Sequence, residues 1–344
     1  MDLNLSDEQR QLVDSFSSFY DKECGTERVR SAEPSGHDAE LWARLLEMGA
    51  LEMAVDEASG GWGASLLDLA LVAEQHGRHL GPAPLVEAQV AARLLSRAGS
   101  PEAGRALEGA IAGGRLTTIA LHPPVGGTLK MVPSGAVADA VIFYDGDRLR
   151  CAETSGRSEA ISNLGSMPVA DVGVDESAVE LVRGEAARAL FERARDEWLV
   201  LMANALVGLG ERALEIGVDY AKERHAFGVP IGSFQAVSHG LANAATALDG
   251  GMLLAREAAW AAAEDRARFT QLACFACAFC TEAAREASYR GLHYHGGYGF
   301  MLEFDIQLFY RRATAWPGVF GEPASVYARG EADRLAVANG RKGA

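Results

Sequence analysis

Apolar residues recur along this chain with two different periods, and the changes of period divide it into three parts. From residue 6 to about residue 110 the spacing is helical. Ser6 and Gln9 form the S-x-x-Q pattern of a capping box, and Leu12, Val13, Phe16, Phe19 and Tyr20 follow on one face. A second helix carries Leu41, Trp42, Leu45 and Leu46 and stops near Gly49. After the glycine-rich turn Ser59-Gly60-Gly61-Trp62-Gly63, a third runs from Leu66 toward Gly77, and Gly81-Pro82 closes the region.

At about residue 116 the pattern shortens. The runs 116–121 (LTTIAL), 139–144 (DAVIFY), 148–151 (RLRC) and 177–182 (SAVELV) are β-rich and separated by glycine, proline or charged turns. Helical periodicity returns from Ala186 in segments 186–223, 234–264, 269–293 and 323–337, which make a C-terminal four-helix bundle. The fold class is therefore mainly α, with an N-terminal helical domain (1–115), a small central β domain (116–185) and a C-terminal helical domain (186–344). No internal repeat or low-complexity tract interrupts this order.

Composition adjusts the picture in a few places. With 344 residues, 49% of them hydrophobic, the chain has ample material for a large core. A net charge of −15 argues against a nucleic-acid surface. No apolar run approaches the roughly 18 residues of a membrane span. The start, MDLNLSDEQRQL, lacks the basic and apolar stretches of a secretory signal. Five cysteines fit a reducing cytoplasm better than a disulfide framework. Cys274, Cys277 and Cys280 have cluster-like spacing, but Phe275, Ala276, Ala278 and Phe279 between them make a buried helix the better reading, with no metal. His293 and His295 are two residues apart, cannot share a helical face, and read as packing or polar contacts.

Three stretches carry chemistry. The first is the helical region 41–82 with its glycine turn. The second is YAKERHAFGVPIGSFQAVSHGLA (220–242), and the third is HYHGGYGFMLEFDIQLFYRRA (293–313). Arg224 offers a fork of donors suited to a pyrophosphate. Phe227 and Gly228 end one helix and Gln235 opens the next, while Gly296 and Gly297 leave the backbone open to close approach. No strand precedes these glycines, so they are not a Rossmann fingerprint.

In this order and spacing the three stretches resemble the acyl-CoA dehydrogenase family over nearly the whole chain, including its R-x-x-F-G-x-P-I-x-x-F-Q and G-G-x-G-[FY] elements. The resemblance implies the acyl-CoA dehydrogenase fold, FAD as cofactor, an acyl-CoA thioester as substrate, and an electron-transfer flavoprotein or other acceptor as electron partner. It gives Arg224, Phe227, Gln235, Gly296 and Gly297 to cofactor binding. In the family a carboxylate removes the α-proton while the β-hydrogen leaves as hydride to the flavin, giving the 2-enoyl-CoA.

This chain departs from that pattern where the base should be. Phe320 falls at the usual glutamate, and Glu322 lies two residues on. A branch of the family places its base on the first long C-terminal helix, which here gives Trp198, with Glu197 beside it. One residue on a helix is a rotation of about 100°, so Glu322 and Glu197 are weak candidates and no catalytic residue is assigned. The stretches ALHPPVGGT (120–128) and MVPSG (131–135) stand where the family's flavin-ring elements belong, and do not match them. The retained elements serve a neighbour's FAD across an oligomer interface in this family, and the missing ones serve the chain's own.

Three readings follow. One is a subunit that completes the FAD site of a base-bearing paralogue, similar to the short subunits of α2β2 acyl-CoA dehydrogenases of actinobacterial steroid side-chain degradation. Another is a self-sufficient enzyme with Glu322 or Glu197 as a displaced base. The third is a non-catalytic structural or CoA-binding protein. In the first, the isolated chain is a poor dehydrogenase. Segments 234–264 and 269–293 are apolar on more than one face, which predicts a homo- or hetero-oligomer. Light scattering of the purified chain should show at least a dimer; a monomer at micromolar concentration would overturn this.

Overall fold

The computed structural model describes residues 4–112 and 114–342, so the extreme ends of the first and last sequence segments lie outside the described residues. The first segment holds α1 (Asp7–Glu23), α2 (Thr26–Ala32), α3 (Ala39–Glu47), α4 (Leu66–Arg78), α5 (Leu85–Ala98) and α6 (Pro101–Ile111). The capping box at the start of α1 forms as read: Ser6 Oγ accepts from the Gln9 amide, and the Gln9 side chain accepts from the Ser6 amide.

The central segment contains β1 (Thr117–Ile119), β2 (Thr128–Val132), β3 (Ala140–Tyr144), β4 (Arg148–Glu153), β5 (Ser158–Ala160), β6 (Ala170–Gly173) and β7 (Val179–Arg183). One sheet has the order β1-β3-β4-β7 and the other β2-β6-β5. Val141, Phe143 and Ala152 of the first meet Leu129, Val132, Ala170 and Val172 of the second in a shared apolar core. Periodicity pointed to β1, β3, β4 and β7 alone. It passed over β2, whose register shifts between Leu129 and Val132, and β5, which is exposed along its whole length.

The last segment contains α7 (Glu185–Glu223), a hairpin of β8 (His225–Ala226) and β9 (Val229–Pro230), α8 (Gln235–Glu264), α9 (Phe269–Tyr294), α10 (Ile306–Ala315) and α11 (Pro323–Lys342). No helix among the described residues is long and apolar enough to cross a membrane. In space the chain forms two compact units, each drawing on more than one sequence segment. One unit gathers Met1–Arg28, Ala70–Gly81 and Leu199–Ala344, and the other Val29–Leu69 and Pro82–Trp198.

Within the first unit, α7 meets its neighbours at glycines. A Cβ on Gly208 would lie 1.9 Å from the Glu74 carbonyl oxygen of α4, and one on Gly77 would lie 1.8 Å from the Ala205 carbonyl oxygen. Further along, a Cβ on Gly217 would come within 2.9 Å of Gly291 Cα in α9. Charges then tie the crossing together: Arg78 pairs with Glu215 at 2.7 Å, and Arg256 of α8 with Glu74 at 3.3 Å. Burial, followed by the neighbouring Glu74, raises the Glu211 carboxyl at this crossing to about 7.

Because the obstructing atoms at Gly208 are backbone, the helices must separate to admit a side chain. Gly208→Ala should destabilise the protein by about 1–3 kcal/mol. Gly104→Ala, in α6 where nothing lies within 4 Å, should instead stabilise it by about 0.5–1 kcal/mol. Urea denaturation of both variants tests the pair; equal midpoints would remove the crossing as a constraint.

Candidate functional site

The first unit brings the cofactor candidates together at one end of α7. This helix ends at Glu223, and the Arg224 amide still donates to the Tyr220 carbonyl at 2.8 Å. The chain then reverses in a hairpin with His225 opposite Pro230 and Ala226 opposite Val229, so Phe227 and Gly228 form a two-residue loop. Both have positive φ, +55° and +84°, as a type I′ turn requires. Glycine takes this conformation freely, whereas a phenylalanine is strained in it by about 1–2 kcal/mol. That side chain is 97% exposed, touching the edge of Phe234 at a centroid distance of 6.2 Å. The Arg224 side chain is exposed and makes no hydrogen bond or ion pair among the described residues.

Gln235 is the first residue of α8, whose N-terminus no side chain caps. The Gln235 and Ala236 amides are therefore left open to an anion, while the Val237 amide donates to the Phe234 carbonyl at 2.9 Å. Two contacts carry α9 and the glycine run to the same place. Tyr220 stacks on His295 with centroids 3.8 Å apart, and Tyr294 Oη donates to the Ala236 carbonyl at 3.2 Å. Gly296 follows with φ +61°, and both it and Gly297 are exposed, with nothing within 4 Å of where a Cβ would stand. Tyr298, Phe300, Met301 and Leu302 extend this surface as exposed apolar side chains.

The result is an unpaired guanidinium, an uncapped 30-residue helix and a bare glycine backbone on one surface, beside a strained, exposed aromatic ring. Comparison with known proteins gives this arrangement a family. Residues 6–114 match the acyl-CoA dehydrogenase N-terminal domain, and residues 185–321 its C-terminal domain. "Acyl-CoA dehydrogenase IpdE2" of Mycobacterium tuberculosis is 30% identical over 95% of this chain and 97% of its own. This chain belongs to the acyl-CoA dehydrogenase family.

Among solved structures, a chain of the ChsE4–ChsE5 complex from Mycobacterium tuberculosis superposes with a TM-score of 0.87. It is 26% identical and covers 98% of this chain and 99% of that one. The Tcur3481–Tcur3483 steroid ACAD gives the same TM-score at 25% identity, covering 96% and 99%. Acyl-CoA dehydrogenases are FAD-dependent oxidoreductases. The donors on this surface fit the anionic half of that cofactor: Arg224 is free to pair with a phosphate, and Gly296 and Gly297 offer no obstruction.

The proton-abstracting candidates have different surroundings. Phe320 is buried, with the Arg329 guanidinium 5.9 Å above its ring. Glu322 precedes Pro323 at the start of α11. Its carbonyl accepts from the Ser325 amide and hydroxyl, and its side chain faces solvent. Glu197, in the second unit, is 1% exposed and surrounded by arginines: Arg97 at 2.6 Å, Arg193 at 3.1 Å and Arg93 at 3.5 Å. Burial works to raise this carboxyl, but Arg97, Arg93 and Arg193 together hold it below the ordinary carboxylate range.

Trp198 is fully buried, and its Nε1 donates to Glu87 Oε1 at 3.2 Å. Glu87, on α5, was not singled out in the sequence. Burial pushes its carboxyl up, against its hydrogen bonds from the backbone, Trp198 and Ser134. The sequence signal that could have found it is the run Leu85–Leu95 of α5, in which apolar residues flank Glu87, Gln89 and Arg93 and the whole run, these three included, is buried.

The remaining sequence features are packing groups. His295 is buried under Tyr220, and His293 stacks on Tyr289 at 5.7 Å. Cys274, Cys277 and Cys280 all lie buried within α9, and burial raises the Cys277 thiol to about 12. Among the described residues no group of three or more His, Cys, Asp or Glu side chains could hold a metal.

Glu197→Gln separates an ionic anchor from a base. Removing the charge leaves three guanidiniums without their common partner and should cost about 3–5 kcal/mol at pH 7. Because the folded carboxyl is depressed below its ordinary value of 4.5, its contribution is complete above that pH. It drains as pH falls through the folded value, so the gap between wild type and variant should narrow in acid. Urea midpoints across pH test this; unchanged stability would remove the anchor role.

Proposed function

We propose that this acyl-CoA dehydrogenase chain acts in the cytoplasm as the helper subunit of a hetero-oligomer, completing the FAD site of a base-bearing paralogue. The observation that carries the reading is the surface at the end of α7. Arg224 has no partner among the described residues, and Phe227 is held fully exposed in a strained turn. Both features gain a purpose if an anionic cofactor and another chain cover them. Relatives whose names pair two gene products, ChsE4–ChsE5 and Tcur3481–Tcur3483, support a two-chain assembly.

In the complex, FAD supplies the hydride acceptor for α,β-dehydrogenation of an acyl-CoA, and an electron-transfer flavoprotein or similar acceptor reoxidises it. Arg224 would neutralise the pyrophosphate, the Gly296-Gly297 backbone would let it approach, and Phe227 and Gln235 would line its flank. The base would come from the partner, since Phe320 cannot accept a proton and Glu197 is held by arginines. Glu322 supports a second reading, because its side chain is exposed and beside the usual base position. If the purified chain alone turns over an acyl-CoA and Glu322→Gln abolishes it, that reading replaces this one.

Arg224→Ala tests the proposal in the co-expressed complex. Leaving a phosphate without its charged partner costs roughly 2–5 kcal/mol, so bound FAD per complex should fall while the fold persists. His122→Ala, in the loop that departs from the family's flavin-ring element, should leave occupancy unchanged. Equal occupancy in both variants and the unmodified complex would sink the helper role.

A further inference from the structure

Within the first unit, the crossing of α4, α7 and α8 holds a carboxyl that no guanidinium pairs with. Gly208 sets α7 against α4: a Cβ there would lie 1.9 Å from the Glu74 carbonyl oxygen and 3.0 Å from the Arg78 amide nitrogen. Glu211 is three residues on, and so on the same face of α7. Arg78 Nη2 reaches both carboxylate oxygens of Glu215, at 2.8 and 2.7 Å, and Arg212 reaches the same group at 3.0 Å. Arg256 of α8 holds Glu74 by a contact of 3.3 Å, and its buried Nε has no hydrogen-bond partner among the described residues. The Glu211 carboxyl has neither a hydrogen-bond nor an ion-pair partner among the described residues. The charges that act on it are Glu74 and Arg78 of α4, Arg256 of α8 and Glu215 of its own helix. From α9, Ala284 and Gly291 face this part of α7 at Gly210 and Gly217, and neither titrates.

We propose that Glu211 is the proton-binding member of a pH-sensitive latch: protonated, it leaves Arg256 to Glu74, and ionised, it draws that guanidinium from Glu74 and loosens α8 on α4. Two features keep the exchange local. Arg256 makes one long contact to Glu74 and has an Nε available to a second carboxylate. Glu74 cannot retreat from Glu211, because its backbone is fixed against Gly208. Two carboxylates beside one available guanidinium disfavour ionisation of the second. Burial acts in the same direction and ahead of Glu74, so the Glu211 carboxyl titrates at about 7 in place of 4.5. Between these values the folded chain holds a proton that the unfolded chain has released to solvent. Stability therefore falls as pH rises through this range, and the latch is open above it.

Urea denaturation of the purified chain across pH tests the latch. Glu211→Gln, which mimics the protonated form, should match the unmodified chain at about pH 5 and exceed it by on the order of tenfold in folding equilibrium constant at about pH 8.5. A packing role for this side chain would shift stability equally at every pH. Glu74→Gln removes the competing carboxylate and releases Arg256, so the inflection of the stability profile should move to lower pH. Amide exchange around Arg256 in α8, corrected for its intrinsic pH dependence, does not rely on the Glu74 variant folding. It should quicken above neutral pH in the unmodified chain and not in Glu211→Gln. A gain in Glu211→Gln that is the same at both pH values, an inflection unmoved by Glu74→Gln, or exchange that quickens equally in both chains would overturn the latch.

Discussion

Where α7 crosses α4 and α9 there is no room for a side chain, and the arrangement of the first unit follows from that. Gly208 and Gly77 let two helix backbones touch, and Gly217 and Gly291 repeat the contact a few turns on. Helices packed this closely have little freedom to slide. The end of α7 is thereby placed so that Tyr220 stacks on His295, which in turn positions the glycine run beside Arg224. The candidate ligand surface is thus set by small residues further along the same helices.

Two buried carboxylates in the second unit show opposite solutions to the same problem. Arginines hold Glu197 toward its charged form, whereas burial pushes Glu87 toward its neutral form, with an indole and a hydroxyl as its hydrogen-bond donors. Neither has the surroundings of a general base, which must be ionised near neutral pH and open to its substrate. An acidic side chain near the expected position is therefore a poor guide to catalysis until its neighbours are known.

How much was legible in the sequence follows from how each feature is encoded. The long helices were legible because amphipathic spacing persists over many turns, and α7, α8 and α9 fall within a residue or two of their expected limits. The candidate ligand residues were legible as motifs, but the hairpin between Glu223 and Gln235 was not, because Phe227 occupies a turn position that favours asparagine or glycine. β5 lies exposed and carries no alternation to detect. Glu87 was hidden for another reason. Its partners are 47 and 111 residues away, and only the fold brings them together.

The exposed ring of Phe227 also has a consequence for how the protein is made. With Phe300 at 70% and Leu302 at 71% exposure on the same unit, a chain without a counterpart presents apolar side chains to water. Such surfaces recruit chaperones, proteases or other copies of themselves. A cell making this chain in excess would accumulate aggregation-prone orphans. On the proposed helper role, the geometry of one turn therefore favours matched synthesis of this chain and its partner.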